Sequence, residues 1–119
     1  MNGIPIIRAS LTLLPELERG RNTLWRAYRP HIVIGPPEQR KAKLEGNTCV
    51  ERYQGVVLMD EYLQIEPGET VEVSMLLAYY QEPNVLYEDV VSGATFTLRE
   101  GPTIVGYGVV LSRTDSVDS

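Results

Sequence analysis

Apolar and polar positions alternate along most of this chain, and each alternating run predicts a β-strand. In Ile4–Leu14, the residues Ile7, Ala9, Leu11 and Leu13 fall on one face of a first strand. A second strand covers Arg29–Ile34 and is stopped by Gly35-Pro36-Pro37. A third covers Thr48–Met59, with a bend expected at Gly55. A fourth, Thr70–Tyr80, turns Val71, Val73, Met75 and Leu77 inward and follows a turn at Glu66-Pro67-Gly68-Glu69. In the fifth, Phe96 and Leu98 alternate with Thr95, Thr97 and Arg99. Glu100-Gly101-Pro102 breaks that run, and Thr103–Leu111 resumes as a sixth strand. Gly106 and Gly108 share one face of it, which predicts a close backbone approach or a bend.

Between these runs, Pro15–Arg26 reads as a polar connection with a short helical turn at Glu16–Arg19. Glu38–Gly46 reads as a charged, mobile loop, and Gln81–Asn84 and Tyr87–Ser92 as further connections. Residues 1–113 form a single domain on this reading, followed by a polar, frayed tail over 114–119. Short strands divided by Pro/Gly turns predict an all-β sandwich or barrel. Closure into a barrel would remove open strand edges.

Composition narrows the classes. At 119 residues the chain is one domain, and 43% hydrophobic content suffices for a core of modest size. No run of about 18 apolar residues is present, so no membrane span is expected. Met1-Asn2-Gly3-Ile4-Pro5 lacks the basic-then-apolar pattern of a secretory signal. The single Cys49 cannot form an internal disulfide, which fits a reducing, cytoplasmic compartment. Net charge is −5 and uneven: +4 over residues 1–59 and −9 over residues 60–119. A polarity of that kind can orient a protein against a charged partner.

Candidate chemistry is sparse. There is no Gly-x-x-x-x-Gly-Lys-Ser/Thr phosphate loop. His31, the only histidine, could act as an acid or base, but no nucleophile motif accompanies it, and a strand-edge histidine is the plainer reading. Cys49 sits in a strand-like Thr48-Cys49-Val50 setting and reads as a small packed residue. Asp60-Glu61 and Glu88-Asp89 lack calcium-loop spacing, so no metal or other cofactor is expected. Tyrosine is abundant: Tyr28, Tyr53, Tyr62, Tyr79, Tyr80, Tyr87 and Tyr107, against one Phe and one Trp. These rings either plug the rims of the fold or face a partner. Trp25 and Tyr28 share a loop with Arg26 and Arg29, a mixture enriched at the energetic centres of protein interfaces and also able to stack on nucleic-acid bases.

Four stretches, in order, resemble the third, C-terminal β-barrel domain of elongation factor Tu and its relatives. Leu11-Thr12-Leu13-Leu14 with Gly20-Arg21-Asn22-Thr23 is similar to the family's first strand and Gly-Arg-x-Thr loop. Tyr28-Arg29-Pro30-His31 resembles its Tyr-Arg-Pro-Gln segment, and Pro67-Gly68-Glu69 its Pro-Gly-Asp turn. Phe96-Thr97-Leu98-Arg99-Glu100-Gly101 followed by Val105-Gly106-Tyr107-Gly108 looks like its closing hairpin. The resemblance spans Ile7–Arg113. It implies a six-stranded antiparallel closed barrel and, since the nucleotide-binding domain has no counterpart here, no GTP binding.

The resemblance also implies binding positions. In the family this domain packs on the GTPase domain and touches the T stem of aminoacyl-tRNA. By matching motif the contact residues would be Arg21, Asn22, His31, Glu100 and Gly101, while Arg99 would be structural. His31 and Asn22 replace residues the family usually carries, yet both retain hydrogen-bonding capacity. A pI near 4.8 argues against tRNA binding by the chain alone, because phosphate contacts need a basic footprint. The leading expectation is a non-enzymatic module that binds a protein. Copying an elongation-factor surface, as a toxin-neutralising immunity protein could, is one version of it. The alternatives are a tRNA-binding accessory of translation, a domain or subunit of a larger translational GTPase, and an enzyme resting on His31.

Overall fold

The computed structural model describes residues 4–14, 23–24, 28–60, 63–66 and 68–115. Among the described residues there are eleven strands and no helix: β1 (Ile6–Leu13), β2 (Thr23–Leu24), β3 (His31–Ile34), β4 (Leu44–Glu45), β5 (Thr48–Cys49), β6 (Gln54–Gly55), β7 (Val57–Leu58), β8 (Leu63–Gln64), β9 (Thr70–Leu76), β10 (Thr95–Glu100) and β11 (Thr103–Thr114). Seven of them pair in the order β6-β3-β10-β11-β1-β9-β7, each pair antiparallel.

The two ends of that order are neighbours in the chain, separated only by Val56. The N–H groups of Val56 and Leu58 donate to the carbonyls of Pro30 (3.1 Å) and Tyr28 (2.8 Å), on the β3 side. On the other side Val57 and Leu58 pair with Leu76 and Met75 of β9, and the Met59 N–H reaches the Ser74 carbonyl at 2.9 Å. Residues 54–58 thus act as one bent stave bonded on both flanks, and the sheet closes as six staves. This is the antiparallel barrel expected, with the bend at Gly55 where the chain changes partners.

The core follows the alternation. Ile7, Ala9, Leu11 and Leu13 of β1 are buried, as are Val73, Met75 and Leu77 around β9, with Val71 half-buried. Phe96 and Leu98 of β10 and Ile32 of β3 join them. At about 25 cal/mol per Å² of apolar surface removed from water, such side chains supply the main driving force for closure. Gly106 and Gly108 allow β1 to lie tightly on β11. A Cβ at Gly106 would stand 2.7 Å from the Thr12 carbonyl oxygen, and one at Gly108 would run into that of Ser10 and meet Phe96 Cζ at 2.8 Å. Two bulges bend β11: Leu111 has no partner between the Arg8–Ser112 and Ala9–Val110 pairs, and Val105 has none between Leu98–Gly106 and Arg99–Ile104.

Several boundaries differ from the sequence reading. The expected third strand is broken: β5 pairs only with β4 outside the barrel, residues 50–53 belong to no strand, and only β6 and β7 join the barrel sheet. Glu38–Gly46 is not a bare loop: Leu44–Glu45 pairs with Thr48–Cys49 in a small hairpin. β9 stops at Leu76, where Leu77–Tyr80 turns, and β11 runs three residues past Leu111. The helical turn expected at Glu16–Arg19 lies outside the described residues, as do Tyr62 and residues 116–119.

Thr97 and Arg99 are the instructive difference. They point outward, as alternation requires, yet both are buried. The segment 36–53, carrying the β4–β5 hairpin, folds back over the outer wall at β3 and β10 and covers them.

Candidate functional site

Five of the nine candidate residues gather at one end of the barrel. Tyr28-Arg29-Pro30 leads into β3, and its carbonyls hold the 54–58 stave as described. His31 opens β3 opposite Arg99 of β10, and Glu100 and Gly101 follow Arg99 in the chain. The Tyr28 hydroxyl donates to Glu100 Oε2, tying the β3 lead-in to the end of β10. Gly101 and Pro102 form a two-residue hairpin loop between paired Glu100 and Thr103. Gly101 has φ +59° and proline fixes a negative φ at the next position, which is the type II′ combination favoured in hairpins. Arg29 is exposed beside this cluster. Arg21, Asn22, Trp25 and Arg26 lie outside the described residues, and only the β2 pair between them, Thr23–Leu24 against Leu63–Gln64, is placed.

Beneath the cluster lies a polar network that the sequence reading did not assemble. The Arg99 side chain is fully buried. It donates from Nη1 to Glu51 Oε1 (2.8 Å) and the Tyr53 hydroxyl (3.0 Å), from Nη2 to Glu51 Oε2 (3.0 Å), and from Nε to Thr97 Oγ1 (2.8 Å). Glu51 also accepts from the Lys43 backbone N–H (3.0 Å) and from Gln39 Nε2 (2.6 Å). One carboxylate therefore joins both arms of the 36–53 segment to the barrel wall. The Arg99 hydrogen bonds hold the Glu51 carboxyl down at about 2; burial opposes this, and the Gln39 and Lys43 donors add to it. Burial by itself would lower the Arg99 guanidinium, but Glu51 and Tyr53 outweigh it and hold its pKa above the ordinary value. Arg99 was legible as structural; Glu51, 48 residues away in the chain, carried no local signal.

The chemically suggestive residues find mostly packing roles. The His31 ring is half-buried, 5.8 Å from that of Tyr53 and tilted by 54°. Asp60 accepts the Ser74 N–H at 2.6 Å, and Asp89 accepts from Gln54 Nε2 at 2.8 Å. Among the described residues, no group of three or more His, Cys, Asp and Glu could hold a metal ion. Cys49 lies in β5 opposite Leu44.

The tyrosines differ in burial. Tyr28 and Tyr87 are buried. Tyr87 donates to the Gly55 carbonyl (2.8 Å) and accepts the Tyr79 N–H (2.9 Å); its left-handed backbone, φ 51°, is bracketed by Arg113, which donates to the carbonyls of Leu86, Tyr87 and Val90. Tyr107 carries the Arg40 guanidinium 5.0 Å above its ring. Tyr79 is 62% exposed, with its ring laid against Gly55.

What the arrangement offers is a polar surface of Arg29, His31, Glu100 and the Gly101 turn, with Tyr28 buried behind it and a saturated ion-pair network below. No known protein family matches the chain, and no curated protein matches it either.

Proposed function

We propose that this chain is a non-enzymatic protein-interaction module of the cytoplasm whose contact surface is the barrel end formed by Tyr28, Arg29, His31, Glu100 and Gly101. The observation that carries this reading is their convergence: residues more than 60 positions apart in the chain meet on adjoining strands, and Tyr28 is bonded directly to Glu100. A partner would meet side chains already ordered, so little entropy would be lost on docking. Both signs of charge beside aromatic rings suit a polar protein surface better than a run of phosphates. Three of them, His31, Glu100 and Gly101, are matched to contact positions of the elongation factor Tu barrel, so the finer proposal is that the module copies part of that surface for a protein that recognises it. With no phosphate loop in the sequence, it would do so without GTP.

The test is affinity capture on the tagged protein from the cells that make it, with and without ribonuclease. A bound protein that survives ribonuclease and is lost with Arg29→Ser or His31→Ala supports the reading. Recovery of tRNA that disappears with ribonuclease or moderate salt would replace it with a translation accessory.

A further inference from the structure

Two depressions on the outer wall meet at a single side chain. The first, about 210 Å³, lies between the hairpin segment and the start of the loop after β3; Lys43, Val50, Arg52 and Asp89 are among its lining residues. The second, about 240 Å³, is lined by Arg52, Tyr53, Gln54, Tyr79, Val85 and Tyr87. Arg52 belongs to both. Exposed apolar side chains line both: Val50 (53% exposed) in the first, and Tyr79 (62%) and Val85 (37%) in the second. Lys43 and Arg52 are the exposed cations that line the first depression, and the same segment carries Arg40 and Lys41 against the exposed carboxylates of Glu38 and Glu45, neither of which lines either of these two depressions. Of the carboxylates in the first depression, Glu51 is neutralised by Arg99, and Asp89 is held by Gln54.

We propose that this groove binds an extended acidic peptide segment, in which one or two carboxylates lie against Lys43 and Arg52 and flanking apolar side chains rest on Val50 at one end and Tyr79 at the other. The site does not rest on the barrel-end reading, since none of these residues belongs to that cluster. Its walls are fixed in advance. Glu51 clamps the Lys43 arm to Arg99, and the Tyr79 backbone is held by the Tyr87 hydroxyl while its ring lies on Gly55. In a protein of net charge −5, a concentration of cations on one segment selects for carboxylates.

Other anionic partners fit less well. A nucleic-acid strand needs a succession of stacking rings and a continuous phosphate track, whereas Leu44, Val50 and Val85 offer neither. A lipid surface would meet the hairpin turn first, and that turn, Glu45-Gly46-Asn47-Thr48, is polar and carries a carboxylate.

The test titrates the whole, isotope-labelled chain with a pool of synthetic peptides, acetyl-Ser-X-Z-Z-X-Ser-amide, where X is Leu, Val or Phe and Z is Asp or Glu. We expect saturable amide shifts clustered on Lys43, Val50, Arg52, Tyr79 and Val85, and none from the pool with Lys at Z. Arg52→Glu should weaken binding by about tenfold or more. Tyr79→Ala should weaken it severalfold, and Arg29→Ser should leave it unchanged. Arg52 and Tyr79 are exposed, so thermal midpoints close to wild type will show the variants folded. The proposal is overturned by an absence of saturable shifts up to millimolar peptide, by equal binding of the Lys pool, or by indifference to Arg52→Glu. It is also overturned if phosphatidylserine vesicles or a short single-stranded RNA shift these residues and the acidic peptides do not.

Discussion

Arg99 shows how a single residue can be costly and indispensable at once. Taking a guanidinium and a carboxylate out of water costs several kcal/mol per ion, which the Arg99–Glu51 pair recovers through two-pronged geometry and saturated hydrogen bonding. Removing one partner is therefore worse than removing both. Arg99→Met should destabilise the fold by about 3–5 kcal/mol in denaturant unfolding, and Arg99→Met with Glu51→Leu should recover much of the loss. The pair also sets an acid limit. Glu51 is pulled from the ordinary 4.5 down to about 2. A depressed carboxyl contributes stability above its unfolded pKa, and that contribution fades as pH falls from about 4.5 through about 2. The full linkage is about 3 kcal/mol. Unfolding free energy measured across that window should fall steeply in wild type and more gently in the double variant. Tyr87 sets the alkaline counterpart. Burial pushes its phenol above the usual range, so its contribution is present below pH 10 and fades as pH rises past the raised value. Tyr87→Phe should cost about 1–3 kcal/mol near neutrality, because the Gly55 carbonyl and Tyr79 N–H lose their partner. It should also flatten the alkaline limb of the stability profile.

At the scale of elements, two glycines in one hairpin do different jobs and should fail differently. Gly108 lies under the Ser10 carbonyl, so Gly108→Ala forces β1 and β11 apart. We expect a loss of about 3 kcal/mol or more, with faster hydrogen exchange along both strands. A Cβ on Gly101 meets nothing within 4 Å, so Gly101→Ala carries only the cost of its positive φ, about 1–2 kcal/mol, and Gly101→Asn less. The Gly106/Gly108 spacing was readable because a close approach leaves its mark locally, as a missing side chain at period two. The inward rows of β1, β9 and β10 were readable for the same reason. The burial of Thr97 was not, since it depends on a segment some 50 residues earlier folding back over the wall. Nor was the break in the third strand, where Glu51 belongs to no strand and bonds Arg99, 48 residues away in the chain. At the barrel end, the meeting of Tyr28 with Glu100 follows from the β3–β10 pairing, which chain order alone does not specify.

The whole molecule is a closed barrel with one segment strapped to its outside, and the two should come apart separately. Closure through residues 54–58 leaves each of the six staves bonded on both flanks, so the barrel's long pairings stand or fall together. Segment 36–53 is held differently: its hairpin pairs only with itself, and it is fastened by side chains, with Glu51 gathering Gln39, Lys43 and Arg99, the Tyr53 hydroxyl on Arg99, and Arg40 over Tyr107. If Glu51 loses its charge, the buried Arg99 charge is left uncompensated, and the least costly relief is to let the strap lift and water reach the guanidinium. Detachment thus caps the penalty below that of unfolding the barrel. With Glu51→Gln, trypsin should cut after Arg40, Lys41 and Lys43 well before global unfolding. Amides of β1, β10 and β11 should keep their protection against hydrogen exchange. Equal loss of protection in strap and barrel would mean that the ion pair belongs to the barrel's own cooperative core. The same variant should also abolish peptide-induced shifts at Lys43 and free the His31 ring from Tyr53, while leaving the Tyr28–Glu100 hydrogen bond intact, because the strap forms one wall of the groove whereas that bond joins the β3 lead-in directly to β10.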